Sequence, residues 1–249
     1  MLEIRNLNYT VKDERGKADI LKNINLDIEA GKFVVITGPN GSGKTSLAKA
    51  IMGLIPGESG EITGSIKYNG QELTGLGVTG RARLGISYGF QQPPRFKGMQ
   101  VTDLLSIAAG KILKRDEHCA LLSQVGLCTD DYLKREIDTS LSGGELKRIE
   151  IATLLARDVS LMIFDEPEAG IDLWSFSKLT ETFKIIHKQK KETTIIIISH
   201  QERIIKLADE IILVSAGAIT KRGSVEEVLP LIMNETVSDC VYLGGAVNE

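Results

Sequence analysis

The sequence of 249 residues lacks the features that would place it in a membrane, outside the cell or on nucleic acid. No apolar run approaches the ~18 residues that a bilayer-spanning helix needs. The start of the chain, Met1–Arg5, has neither the basic nor the apolar region of a signal peptide. The net charge of −3 gives no electrostatic argument for nucleic-acid binding. We therefore expect a cytoplasmic protein that binds no nucleic acid and inserts no segment into a membrane.

Cysteine and histidine are also scarce, with three of each. Cys119, Cys128 and Cys240 are widely spaced, form no Cys-x-x-Cys pair and are not flanked by the histidines. A metal or cluster site built by this chain alone is therefore not expected. We interpret each cysteine as a small, mostly buried apolar residue in a reducing compartment.

What remains is the composition of an ordinary globular protein, 42% apolar and 25% charged, with no repeat or linker. This length predicts one large domain over residues 1–249, with an ample core and room for an inserted subdomain.

Residues 38–45, Gly-Pro-Asn-Gly-Ser-Gly-Lys-Thr, match a phosphate-binding P-loop throughout. They lie between a β-branched run at 32–37 and a stretch of helical composition at 46–52, the strand–loop–helix order that the motif needs. Lys44 would reach the β- and γ-phosphates, and the hydroxyl of Thr45 would bind Mg²⁺. The residues predicted to bind the nucleotide here are Gly38, Pro39, Asn40, Gly41, Ser42, Gly43, Lys44, Thr45 and Ser46.

Alternating apolar and polar residues predict an antiparallel β section near the N-terminus, packed against the P-loop core. The predicted strands are Leu2–Tyr9, Ile20–Ile28 and Gly64–Asn69, with a charged turn at Lys12–Lys17 after the first. Near the other end of the chain, Glu210–Val214 and Ala218–Arg222 predict a β-hairpin.

Two runs are apolar throughout, Leu161–Phe164 and Thr194–Ile198. Such runs are typical of parallel strands buried on both faces, whose carboxyl ends carry the site in α/β folds. Asp165 and Glu166 directly follow the first run, and His200 follows the second. These features predict an α/β domain with a P-loop NTPase core.

Helical periodicity replaces the strand pattern in residues 92–141, at Val101–Ala109 and Glu117–Val125. We interpret 92–141 as a helical subdomain inserted into the α/β core. It leads into Ser142-Gly143-Gly144-Glu145, whose serine and glutamate have the spacing of a capping box at a helix start. Leu173–Lys190 also has helical spacing.

The P-loop followed by residues 142–145 resembles the ATP-binding cassette (ABC) ATPases, and the resemblance covers nearly the whole chain. It implies an ABC-type fold that binds ATP and Mg²⁺ and hydrolyses ATP to ADP and phosphate. It also implies a transient ATP-dependent homodimer, in which residues 142–145, the signature segment, contact ATP on the P-loop of the partner copy. The signature residues are Ser142, Gly143, Gly144 and Glu145.

Phosphoryl transfer to water needs Mg²⁺ and a group that orients or deprotonates the attacking water. The resemblance implies that Asp165 helps to hold Mg²⁺ with Thr45 and that Glu166 is the catalytic base. The alternative is that the two carboxylates only cap the following helix. Lys44 would also have a catalytic role, because its positive charge would lie at the γ-phosphate that is transferred.

Three further residues take roles from the resemblance. Gln91 would be the Q-loop glutamine that reaches Mg²⁺ or the attacking water, with Gln92 as a rival one position later. His200 would contact the γ-phosphate, although a lone histidine at a strand end is more often structural. Asp172 matches the D-loop aspartate that bridges the two sites of the dimer.

The residue that stacks on adenine is left open. The family usually offers an aromatic ring near residue 11, where this chain has Val11. Tyr9 lies two residues earlier on the same strand face, and would either stack on adenine or be an ordinary strand tyrosine.

Three segments differ from the usual transporter ATPase and resemble the SufC ATPases of the SUF iron–sulfur cluster assembly system. They are Gly-Glu-Leu-Lys-Arg at 144–148, His-Gln-Glu-Arg-Ile at 200–204 and Phe-Gln-Gln-Pro at 90–93. The implied partner is a SufB-like scaffold protein that holds the nascent cluster. Two features depart from the usual SufC pattern: Pro167 stands where SufC often has serine, and the insert between Gln91 and Ser142 is short. The alternative is the ATPase subunit of an importer for a metal or small nutrient.

Overall fold

The computed structural model describes residues 1–13, 16–55, 60–127, 129–157 and 159–242, whose strands form sheets of four, six and two strands. The strands are β1 (Leu2–Asp13), β2 (Gly16–Ile28), β3 (Phe33–Thr37), β4 (Glu61–Tyr68), β5 (Gln71–Glu72), β6 (Ile86–Gly89), β7 (Phe96–Gln100), β8 (Glu136–Ile137), β9 (Leu161–Asp165), β10 (Thr194–Ile198), β11 (Glu210–Ser215) and β12 (Ala218–Gly223). The helices are α1 (Lys44–Met52), α2 (Val78–Arg83), α3 (Val101–Ala109), α4 (Arg115–Gln124), α5 (Thr129–Tyr132), α6 (Gly143–Leu155), α7 (Leu173–Gln189), α8 (Glu202–Ile205) and α9 (Val225–Tyr242).

The six-stranded sheet, in the order β12-β11-β3-β10-β9-β6, is the centre of the fold. Its neighbouring strands are parallel except for the antiparallel edge pair β11 and β12, which is the predicted hairpin. Along β3, Phe33 and Val35 belong to one hydrophobic core, and Val34 and Ile36 belong to the other. The prediction of parallel strands buried on both faces is therefore confirmed.

The four-stranded antiparallel sheet, β2-β1-β4-β5, packs with α1 against one face of the central sheet. Its strands are longer than predicted, because Lys12 pairs with Lys17, and Asp13 with Gly16. The predicted turn at Lys12–Lys17 was therefore too wide, and its centre, residues 14 and 15, lies outside the described residues. The ends of these two strands are charged. They therefore lack the apolar alternation that would have predicted a strand.

On the other face, α3, α4, α6 and α7 cover the central sheet. Phe183 of α7 contacts Phe33 of β3 and Phe164 of β9 edge-to-face, with ring centroids 6.5 and 5.0 Å apart. These contacts hold α7 against the strands that lead into the candidate site. Among the described residues, no helix is both long and apolar enough to cross a membrane.

The segment 92–141 contains the predicted helices as α3 and α4, together with a short strand pair, β7 and β8, that was not predicted. Strand β7 is mostly exposed and has no apolar alternation, so periodicity could not reveal it. Leu105 of α3 and Leu122 of α4 lie in the same core as Ile149 of α6. The subdomain boundaries stay a prediction.

Of the cysteines, Cys119 on α4 is half-buried rather than mostly buried. Cys128 and the side chain of Cys240 lie outside the described residues.

Candidate active site

The loop at 38–43 joins the central strand β3 to helix α1, as the P-loop pattern predicts. Gly38 has a φ of 143°, and a Cβ there would lie 1.9 Å from the carbonyl oxygen of Val214, so only glycine fits. The far end of α1 is held by Arg81, whose guanidinium donates to the carbonyl oxygens of Ala50 and Ile51 at 2.6 and 2.7 Å. A cation on the last carbonyls stabilises a helix, and no local sequence pattern indicates that Arg81 has this role.

The P-loop borders an open cavity of about 350 Å³. Its lining consists of Ile20, Asn40, Gly41, Ser42, Gly43, Lys44, Thr45, Ser46 and Glu166. Lys44 is 6% exposed, and its Nζ donates to the carbonyl oxygens of Gly38 and Pro39, each at 2.8 Å. Burial lowers the pKa of Lys44, whereas Glu166 and Asp165 act to raise it. The Ser42 hydroxyl is buried and, within the described structure, has no hydrogen-bond partner.

These groups fit a bound triphosphate. Phosphate oxygens would accept a hydrogen bond from the Ser42 hydroxyl. They would also place negative charge beside the ammonium group of the buried Lys44. The α1 N-terminus adds its partial positive charge at the same place.

Asp165 ends β9 beside this cavity and is 3% exposed. Its Oδ1 accepts from the Thr45 hydroxyl at 2.9 Å, and its Oδ2 accepts from the hydroxyl of Tyr88 at 2.7 Å. Burial, helped by the charge of Asp165, raises the pKa of Tyr88, so Tyr88 stays a donor. The oxygens of Thr45 and Asp165 are the hard ligands that Mg²⁺ prefers. The role of Tyr88 on β6 was not predicted from the sequence, because nothing distinguishes it there from other tyrosines in apolar segments.

Glu166 is held in an unusual backbone conformation, with a φ of 43°. This region costs a residue other than glycine about 1 kcal/mol or more and is often found at functional sites. The Glu166 Oε2 accepts from Nε2 of Gln91 at 2.6 Å. The structure therefore brings Gln91, not Gln92, to the carboxylate.

The alternative that Asp165 and Glu166 only cap the next helix is wrong, because Asp172 caps α7. Its Oδ1 accepts from the backbone N–H groups of Trp174 and Ser175 at 2.9 and 3.0 Å. Hydrogen bonds from Ser175 are the main cause that lowers the pKa of Asp172.

His200 comes just after β10 and is exposed. Strand β10 pairs with β9, the strand that leads into Glu166. Its neighbour Ser199 donates its hydroxyl to the carboxylate of Glu168. Burial raises the pKa of Glu168, while the Ser199 hydrogen bond and His200 act to lower it. The structure thus places His200 at the predicted edge of the sheet.

The signature segment forms the predicted capping box at the start of α6. The Glu145 N–H donates to the Ser142 hydroxyl at 3.2 Å, and the Ser142 N–H donates to Oε2 of Glu145 at 2.7 Å. A Cβ on Gly144 would lie 2.4 Å from Oγ of Ser175. The close packing of α6 on α7 therefore requires a glycine at this position. This reason is separate from the predicted approach of the segment to ATP.

Glu145 also anchors the residues before α6. Its Oε1 accepts from the hydroxyl of Tyr132 and from Arg135 at 3.2 Å. Burial acts to raise the pKa of Glu145, but the hydrogen bonds from Tyr132 and Ser142 outweigh it and lower the pKa to about 2.

Tyr9 is 7% exposed and packs in the core with Leu21, its partner on β2, so its ring face is not available to adenine. The structure therefore makes Tyr9 a strand tyrosine and corrects its inclusion among the nucleotide-binding residues. Val11 is half-buried and, among the described residues, is not part of the cavity lining. Ile20 of β2 lines the cavity instead, and one aliphatic residue among several in an alternating strand gave no sign of this.

Comparison with known proteins identifies the family of this chain. A family model described as ABC transporter matches residues 21–169. This chain belongs to the ABC transporter family. The cassette is 37% identical over 222 residues to the uncharacterized ABC transporter ATP-binding protein MJ0035 of Methanocaldococcus jannaschii, covering 86% of each chain. It is 34% identical over 239 residues to the probable ATP-dependent transporter ycf16 of Pyropia yezoensis, covering 90% of this chain and 92% of that protein.

A solved structure titled as the dimeric post-hydrolysis state of the ATP-binding cassette MJ0796, bound to ADP and Pi, has the same fold. The TM-score is 0.78 at 22% identity, over 90% of this chain and 99% of that one. The predicted ABC-type fold is confirmed, and the cassette is an ATPase of this family.

The depressed pKa of Glu145 predicts a pH-dependent contribution to stability. A carboxyl whose pKa is lower in the folded state stabilises it above the ordinary pKa of 4.5, and this contribution is lost as the pH falls toward about 2. Glu145→Gln should therefore lower the free energy of unfolding by about 1–3 kcal/mol at pH 7. Urea unfolding at pH 7, 5, 4 and 3 should show the difference from wild type shrinking below pH 4.5.

The control is Glu181→Gln, which changes an exposed carboxylate on α7 and should have little effect at any of these pH values. A wild-type advantage over Glu145→Gln that stays constant from pH 7 to pH 3 would contradict the assignment.

Proposed function

We propose that this cassette hydrolyses ATP with Glu166 as the base, at a site completed by the signature segment of a second copy. The observation that carries this proposal is the convergence of Lys44, Thr45, Asp165 and Gln91 around Glu166 at one sheet edge. These are a phosphate-binding cation, oxygen ligands for Mg²⁺ and a carboxylate with its own hydrogen-bond donor, as phosphoryl transfer to water requires.

In this proposal the P-loop N–H groups and Lys44 hold the β- and γ-phosphates. Thr45 and Asp165 hold Mg²⁺, which neutralises charge on the phosphate oxygens when bound. Glu166 accepts a proton from water as the water oxygen bonds to the γ-phosphorus. The bond from that phosphorus to the bridging oxygen breaks, and ADP leaves with the electron pair. Gln91 holds the Glu166 carboxylate in place, and His200 stabilises the γ-phosphate.

Glu166→Gln should keep ATP affinity within about twofold and lower kcat by about 100-fold or more, the typical contribution of a general base. The amide matches the carboxylate in shape but cannot accept the proton. Steady-state phosphate release and fluorescent-nucleotide titration measure the two effects. Lys44→Ala should instead lose nucleotide binding, since it removes the main countercharge to the phosphates. Near-wild-type turnover by Glu166→Gln would show that another group is the base.

Support for the proposed dimer comes from the residues that lie outside the P-loop cavity. Among the described residues, those lining the cavity include none from 142–145. Ser142, the N-cap of α6, and Gly143 are exposed, so this helix start can approach an anion held by a second copy. The resemblance to ABC ATPases implies the same arrangement in trans.

A complementation experiment tests the site in trans. Ser142→Arg should still bind one ATP per chain but fail to hydrolyse it, while Lys44→Ala should fail to bind ATP. Mixed together, the two chains should regain turnover, because a heterodimer joins the intact P-loop of one to the intact signature of the other. Turnover that stays at the sum of the two separate variants, with heterodimers demonstrated by crosslinking, would rule the arrangement out.

The partner we propose is a SufB-like scaffold protein of iron–sulfur cluster assembly. The support is the resemblance at 90–93, 144–148 and 200–204. ATP-driven closure of two cassettes would then shift the scaffold between conformations, since ATP binding favours the closed state. The alternative is an importer subunit; the two relatives are named as transporter proteins, without a stated direction of transport.

Affinity purification of the tagged chain from its own cells separates these two partners. The SUF proposal predicts a partner without membrane spans that carries an iron chromophore, acid-labile sulfide and the ability to stimulate ATP turnover. An importer would instead bring a membrane-spanning permease in the detergent fraction. Purification with the permease and without any iron-binding partner would refute the SUF proposal and leave the ATPase site unaffected.

A further inference from the structure

Helix α6 carries a buried ion pair in its second turn. Nζ of Lys147 and Oε2 of Glu150 lie 3.3 Å apart, and the side chains are 2% and 9% exposed. Burying two charges is unfavourable unless further hydrogen bonds satisfy them. The remaining bonds of the pair therefore show what it holds.

Both side chains bind the backbone of residues 90 and 91. Lys147 donates to the carbonyl oxygens of Phe90 and Gln91, the second at 3.2 Å. Oε1 of Glu150 accepts from the N–H of Phe90 at 2.8 Å. The pair thus satisfies a donor and two acceptors of one short segment, and fixes its path where β6 has already ended.

Gln91 depends on this anchoring because its own side chain is exposed. It borders a cavity of about 520 Å³ that Gly143 and Lys147 also line. Its Nε2 nevertheless lies 2.6 Å from Oε2 of Glu166. The backbone anchored by α6 is therefore what directs the amide to the carboxylate.

We propose that Lys147 and Glu150 are positioning residues that hold Gln91 on Glu166 and tie it to the helix that begins with the signature segment. The inference rests on the proposed function, since it gives Gln91 and Glu166 their roles. A shift of α6 moves the backbone of residues 90 and 91 with it and changes the hydrogen bond between Gln91 and Glu166. The signature segment at the start of α6 and the Glu166 carboxylate are thereby coupled within one chain.

The test is a double-mutant cycle. Lys147→Met and Glu150→Gln are each made in wild type and in Gln91→Ala, and kcat and ATP affinity are measured for every variant. In wild type each change should lower kcat by about 10- to 100-fold, as expected for a misplaced catalytic group, with ATP affinity within about twofold. In Gln91→Ala the same changes should lower kcat by less than about twofold, because the group they position is already gone.

A matched control pair lies on α7. Glu181 and Lys184 have the same spacing and the same 3.3 Å separation but are 62% and 52% exposed. Glu181→Gln and Lys184→Met should change kcat in neither background. Lys147→Arg keeps the charge and should retain more activity than Lys147→Met.

The outcomes separate the two claims. Equal losses of kcat for Lys147→Met and Glu150→Gln in both backgrounds, or no loss in either, would overturn the positioning role and leave the proposed site standing. Full kcat in Gln91→Ala would overturn the role of Gln91 itself. Glu150→Gln keeps an acceptor for the Phe90 N–H, so it carries the test if Lys147→Met does not fold, which thermal unfolding will show.

Discussion

The site depends on one constraint, the parallel register of strands that are buried on both faces. Ile198 of β10 is level with Ile36 of β3 on one side and with Asp165 of β9 on the other. The three strands therefore end together, and the chain must turn polar at that edge because the apolar layers stop there. The P-loop, the two acidic residues and His200 come from distant parts of the sequence and meet because their strands share a register.

This edge also explains why its polar groups are so constrained. Buried polar atoms need partners, and Asp165 and Lys44 have them: the carboxylate uses both oxygens, and the ammonium group binds two carbonyl oxygens. Among the described side chains, the Ser42 hydroxyl is an exception that lies within the P-loop. An unpaired group at that position lowers stability unless a ligand accepts from it, which is the behaviour expected of a binding site.

Much of this arrangement could be predicted from sequence because its signals are local. The P-loop, the buried strands β9 and β10, and the capping box of Ser142 and Glu145 are each read within a few neighbouring residues. What was missed depends on contacts between distant residues. Tyr88 meets Asp165 77 positions later, and Lys147 binds Phe90 57 positions earlier. Such pairs carry no periodicity, and each residue alone resembles any other strand tyrosine or helix lysine.

Tyr9 shows the opposite error, a residue assigned to the ligand when it belongs to the core. The strand pattern gave its face correctly, but only the packed sheets show that this face is covered. Burial of one face follows from alternation, whereas which layer covers it is a tertiary property.

Helix α6 is buried along most of its length, and this limits how it can move. Ile149 and Ile151 are fully buried and share their core with Met162 and Phe164 of β9. A helix packed in this way shifts as a rigid unit and by small amounts, because interiors are dense and an internal distortion would open cavities. Small shifts are sufficient here, since a hydrogen bond as short as the 2.6 Å contact between Gln91 and Glu166 weakens steeply with misalignment. The proposed coupling between the signature segment and the Glu166 carboxylate therefore needs no large conformational change within the chain; it needs only that α6 and the backbone of residues 90 and 91 stay joined.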